Sequence, residues 1–84
     1  MTVHDPPLFL KRNKHWVTYL YRGFEINLEE WGDGNVNAHM IDTMRNDYDL
    51  GMIANYVTPE VGIQDCVIVA DTIRSDPHWY DEDD

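Results

Sequence analysis

Residues 57–74 read Val57-Thr58-Pro59-Glu60-Val61-Gly62-Ile63-Gln64-Asp65-Cys66-Val67-Ile68-Val69-Ala70-Asp71-Thr72-Ile73-Arg74, and whether this stretch is helix or strand decides the fold. Its centre, Cys66 to Ala70, has the β-branched composition of a strand. Its ends argue the other way. Thr58 suits an N-cap, Pro59 then falls at the first helical position, where a missing N–H costs nothing, and Glu60 complements the helix dipole. Ser75-Asp76-Pro77 supplies a stop. Caps and length together predict a helix over residues 58–75.

In helical projection Ile63, Cys66, Val67, Ala70 and Ile73 form one apolar arc, with Gly62 and Val69 at its margin. Gln64, Asp65, Asp71 and Thr72 lie outside it. Val61 and Ile68, seven apart, fall with Asp65 and Thr72 on the polar side. Two β-branched residues exposed together ask for a contact: either the N-terminal segment folding over them, which is the commoner arrangement, or a second protein.

Upstream lies the sheet such a helix would cover. With Arg22-Gly23 as a two-residue turn, Tyr21 faces Phe24, Tyr19 faces Ile26 and Val17 faces Leu28, all on one side by the period of two. The reverse side collects Thr18, Leu20 and Arg22 against Glu25, Asn27 and Glu29. A one-residue slip destroys this match, so the register is specified. Gly32-Asp33-Gly34-Asn35 forms the next turn, followed by a strand from Val36 to Ile41. Residues 43–51 read as polar loop and Met52 to Val57 as a short fourth strand. The expected fold is α+β: an antiparallel three- to four-stranded β-meander with one C-terminal helix packed on one face. The whole chain reads as a single domain, with an irregular lead over 1–13, the meander over 14–57, the helix over 58–75 and an acidic aromatic tail over 76–84. Leu8 and Leu10 of the lead are placed to pair at a sheet edge or tuck against the core.

Sixteen acidic residues against six basic ones give a net charge of −10, which disfavours nucleic-acid or anionic-membrane binding through a basic face. The acid surplus is concentrated in the second half of the chain. It suits solubility, a basic protein partner, or imitation of a polyanion. No stretch approaches the roughly 20 apolar residues of a membrane span, and Leu8-Phe9-Leu10 is too short for a signal-peptide core. The expected location is cytoplasmic, or inside a host cell for a mobile-element product. Cys66 is the single cysteine, so an internal disulfide and a cysteine metal cluster are both excluded.

The sequence carries little that suits catalysis. Asp33-Gly34-Asn35-Val36-Asn37 opens like a calcium loop but has Ala38 and Met44 where glycine and the bidentate glutamate belong. The histidines are dispersed, Ser75 has no nucleophile-elbow context, and Glu29 and Glu30 alternate across a strand. His39 and Asp42 are the one pair that the end of a strand brings near each other. The expectation is a non-enzymatic protein without cofactor or metal.

One family resemblance is carried by Phe24-Glu25-Ile26-Asn27-Leu28, the Asp33-Gly34 turn, an alternating strand and Thr58-Pro59-Glu60 opening a helix. This outline resembles the small HicB-type antitoxin domain over roughly residues 24–73. The resemblance implies a β-meander followed by a capped helix, and an acidic protein that neutralises a small RNase toxin. The family's Pro-Asp-Leu-Pro-Gly-Cys-like segment is absent, with Asp42-Thr43-Met44-Arg45 in its place, so no functional residues carry over.

Function is therefore expected in binding: a protein-binding or inhibitor module, with nucleic-acid mimicry as the alternative reading and a small metal-binding protein as a third. The candidate partner surface is Val61, Asp65, Ile68 and Thr72 on the helix, joined by Trp79 and Tyr80 in the tail. The partner is expected to be a protein of basic character, with homo-oligomerisation left open.

Overall fold

The computed structural model describes residues 5–80. The acidic end of the expected tail, 81–84, and the first four residues lie outside the described residues. Five strands, β1 (Leu8–Asn13), β2 (Trp16–Tyr21), β3 (Phe24–Glu30), β4 (Val36–Asp42) and β5 (Tyr48–Val57), precede one helix, α1 (Pro59–Ser75). They form a single antiparallel sheet in sequential order, β1-β2-β3-β4-β5. The α+β meander with one helix across one face is as the sequence reads, with one strand more.

The β2–β3 register follows from the period of two. Tyr21 pairs with Phe24, Tyr19 with Ile26 and Val17 with Leu28. Arg22 and Gly23 both take positive φ, 51° and 84°, as a type I′ turn requires. Gly23 is needed for a second reason. A Cβ there would lie 2.5 Å from Sδ of Met44.

The added strand comes from the expected irregular lead. Residues 8–13 pair with β2 through one irregularity between Phe9 and Lys11, and every residue of β1 is exposed. Helix α1 packs against β3, β4 and β5, so β1 extends the sheet beyond the helix. β5 begins at Tyr48, inside the expected loop. A short 3₁₀ turn over Thr43–Arg45 and two positive-φ residues, Asn46 and Asp47, reverse the chain into it. Three register shifts between β4 and β5 bend this last strand around the helix.

The core lies between sheet and helix. Phe24, Ile26, Leu28, Val36, Ala38 and Met40 rise from β3 and β4 to meet Cys66, Ala70 and Ile73. Thr58 caps α1 by accepting a hydrogen bond from the Val61 N–H at 3.3 Å, with Pro59 in the first turn. Gly62 is central rather than marginal. It is buried, and a Cβ on it would meet Val36, Ala38 and Leu28 at 3.3 to 3.5 Å, so its missing side chain lets the helix approach the sheet. Among the described residues no helix is long and apolar enough to cross a membrane.

Candidate functional site

The helix gathers four of the six candidate residues on one side. Val61, Asp65, Ile68 and Thr72 follow the i, i+4, i+7, i+11 spacing of a single helical stripe. Val61 is 40% exposed and Ile68 57% exposed, while Asp65 is half-buried and Thr72 exposed. Thr72 turns its hydroxyl back onto the Ile68 carbonyl at 2.8 Å, which leaves the Ile68 side chain as the prominent group of the stripe. The described part of the N-terminal segment, the obvious intramolecular cover, does not reach it. From Leu8 onward that segment is committed to β1, at the opposite sheet edge from β5.

The two tail candidates separate. Trp79 is 43% exposed and its N–H donates to the Asp76 carbonyl just past the helix. Tyr80 turns inward. Its hydroxyl donates to Oδ2 of Asp42 at 2.6 Å, its ring meets Tyr48 edge-on at 5.4 Å, and Arg45 lies 4.7 Å over its face. A Tyr80 held in this way works chiefly for the fold, and its hydroxyl is not offered to a partner.

Asp42 is the centre of the most connected polar cluster, with Arg74, Tyr80 and Met44 as its partners in place of the His39 that the sequence suggested. The residue is fully buried. Arg74 grips it with both terminal nitrogens, Nη2 to Oδ1 at 2.8 Å and Nη1 to Oδ2 at 3.0 Å, while the Met44 N–H donates to Oδ1. Arg74 also donates Nε to the Arg22 carbonyl and stacks 4.0 Å over Phe24. Burial alone pushes an acid's pKa up. Here the hydrogen bonds from Arg74, Tyr80 and Met44 prevail and hold Asp42 below the usual carboxylate range. Burial and the Asp42 contact push the Tyr80 hydroxyl up to about 12. A signal existed: Val36, Ala38, Met40 and Asp42 share one strand face by the period of two, so the acid continues an inward-facing series.

The same alternation separates His39 from Asp42. Three apart on β4, they project to opposite faces, with Asp42 under the helix and His39 on the uncovered side of the sheet. There the His39 ring lies 5.4 Å from the Trp16 ring, and its buried Nε2 stands 4.0 Å from Oε1 of Glu29, beyond hydrogen-bonding distance and without another hydrogen-bond partner among the described residues. A shared acid–base or metal site for His39 and Asp42 is not formed. Glu29 and Glu30 likewise diverge, Glu30 making a bidentate pair with Arg12 at 2.6 and 2.9 Å. No group of three or more potential metal ligands is found among the described residues. Cys66 is buried at the helix–sheet contact, where burial pushes its thiol up to about 12, away from nucleophilic use at neutral pH.

No family model, curated protein or solved structure matches the chain.

Proposed function

We propose that the protein is a small binding module of inhibitor type, and that it docks to another protein through the outer stripe of α1. The observation that carries this reading is the exposure of Ile68, 57%, beside Val61, on a helix whose other face already fills the core. A well-capped helix does not need two β-branched side chains in water. Glu60 and Asp65 flank the pair, so a fitting partner presents an apolar groove rimmed by lysine or arginine. Trp79, beyond the helix, adds an aromatic anchor of the kind that concentrates interface energy. A small basic RNase, as the antitoxin resemblance implies, is one protein of that description.

The test is affinity capture from the source cell, followed by titration of the purified partner. Ile68→Asp and Trp79→Ala should each reduce capture at least tenfold while leaving the fold intact by circular dichroism. Capture unchanged by both variants contradicts the reading. Nucleic-acid mimicry makes a different mark: binding that collapses with added salt and is competed by DNA or RNA.

A further inference from the structure

The face of the sheet turned away from α1 is not flat. One polar row crosses it, with Lys11 beside Thr18, Thr18 beside Asn27 and Asn27 beside His39 in the strand registers. Trp16, two residues before Thr18, shares that face by the period of two. So does Asp49, the β5 partner of Ile41. All six side chains line one hollow of about 380 Å³, which is within the range of small-molecule sites. Thr18 is only 4% exposed there, although the helix lies on the other side of the sheet, because neighbouring side chains rise around it.

The hollow presents polar groups that the fold leaves uncommitted. Thr18 donates its hydroxyl to Oδ1 of Asn27 at 2.7 Å, which orients the amide and leaves the Nδ2 hydrogens without a partner among the described residues. Asp49 accepts the Gly51 N–H on Oδ1 at 2.8 Å and keeps Oδ2. Neither Asp49 nor Lys11 has an ion-pair partner among the described residues. The Nε2 of His39 is enclosed and unpaired, 4.0 Å from Oε1 of Glu29. Buried polar atoms are nearly always paired, so the row is one partner short. A ligand oxygen about 2.8 Å from both atoms supplies it, reached by a shift of the partly exposed His39 or Trp16 ring.

We propose that this hollow is a binding site for a neutral sugar, one pyranose ring of a mono- or oligosaccharide. Charge, hydrogen bonding and shape select that class. The lining holds one ammonium and one carboxylate, which cancel, while the chain carries −10 overall, so an anionic ligand is disfavoured. Donors and acceptors are interleaved, and a hydroxyl both donates to a carboxylate and accepts from an amide or an ammonium. Trp16, 38% exposed, offers a ring whose negative face attracts the C–H side of a pyranose. Asn27 and Asp49 then hold ring hydroxyls, with Lys11, exposed on β1, closing on another. The site lies across the sheet from α1 and does not depend on the docking proposed above.

The experiment is an NMR titration of the nitrogen-labelled full chain with maltose, lactose and N,N′-diacetylchitobiose, and with adenine as a planar comparison. At least one disaccharide should shift the Trp16 indole N–H and the Asn27 side-chain amide together, half-saturating at about 1 mM. Because the ligand is neutral, that midpoint should not move between about 20 mM and about 500 mM salt. Trp16→Ala and Asp49→Asn should each weaken binding about tenfold. Asparagine at position 49 keeps the oxygen that accepts the Gly51 N–H, so this variant reports even where Trp16→Ala is destabilised. Absence of shifts with all three disaccharides up to about 50 mM overturns the proposal. So do shifts confined to residues outside the hollow, binding of adenine alone, a midpoint that rises steeply with salt, or an affinity unchanged in both variants.

Discussion

Tyr80 donates its hydroxyl to Oδ2 of Asp42 at 2.6 Å, across 38 residues of sequence, and so ties the segment after the helix to the buried end of β4. A hydrogen bond to a buried carboxylate contributes more than a neutral one. Tyr80→Phe keeps the ring contacts with Tyr48 and Arg45 and removes only this bond. It should lower the unfolding free energy by about 1.5 kcal/mol in urea denaturation. A variant as stable as the wild type shows that the tail is not held in this way.

Arg74 matters more, because it holds the same carboxylate with two nitrogens and has few substitutes. Arg74→Met preserves much of the stem that lies over Phe24, yet leaves Asp42 buried with its charge uncompensated. Breaking one side of a buried pair costs about 3–5 kcal/mol, a large fraction of the stability of so small a domain. Asp42→Asn combined with Arg74→Met should recover part of that loss, because the stranded charge is then gone. A thermal-melt series over the wild type, the two single variants and the double variant measures the coupling.

Two pH limbs follow from the same cluster. The folded pKa of Asp42 lies below its ordinary value of 3.8, so its contribution is complete above that value and is lost as pH falls through the depressed folded value. The folded pKa of Tyr80 is raised from 10.0 to about 12, so its contribution is complete below pH 10 and disappears as pH rises through about 12. The stability gap between wild type and Tyr80→Phe should therefore stay constant over the neutral range and narrow at both extremes. A gap that widens in acid contradicts the direction assigned to Asp42. Melting temperatures of the two proteins across the pH range decide the point.

The parts of the fold that could be read from the chain are those whose cause is local or periodic. Val17, Tyr19 and Tyr21 against Phe24, Ile26 and Leu28 fix their own register, and Thr58-Pro59 announces the helix start. β1 was hidden because the period of two marks a strand only where one face is buried. Leu8 to Asn13 stands beyond the helix and is exposed along its whole length. β5 was half hidden because its register shifts break the alternation that would have revealed Tyr48 as its start. Of the candidate site, the stripe of Val61, Asp65, Ile68 and Thr72 was legible from helical spacing alone. Tyr80 was not: its partner Asp42 lies far away in sequence, and nothing around residue 80 signals an inward turn. Gly62 at the centre of the helix–sheet contact shows a further blind spot, since a residue without a side chain has no hydropathy to place it.

The central claim is that Val61 and Ile68 are surplus to folding and stand free for a partner. The unfolding free energy of the double variant Val61→Ser/Ile68→Ser, measured in urea beside the wild type, tests it most directly. Exposed substitutions of this kind stay within about 0.5 kcal/mol per site, so the two curves should nearly coincide. A loss of about 3 kcal/mol or more, the scale of emptying a core position, would show that the chain itself covers the stripe and would contradict the account.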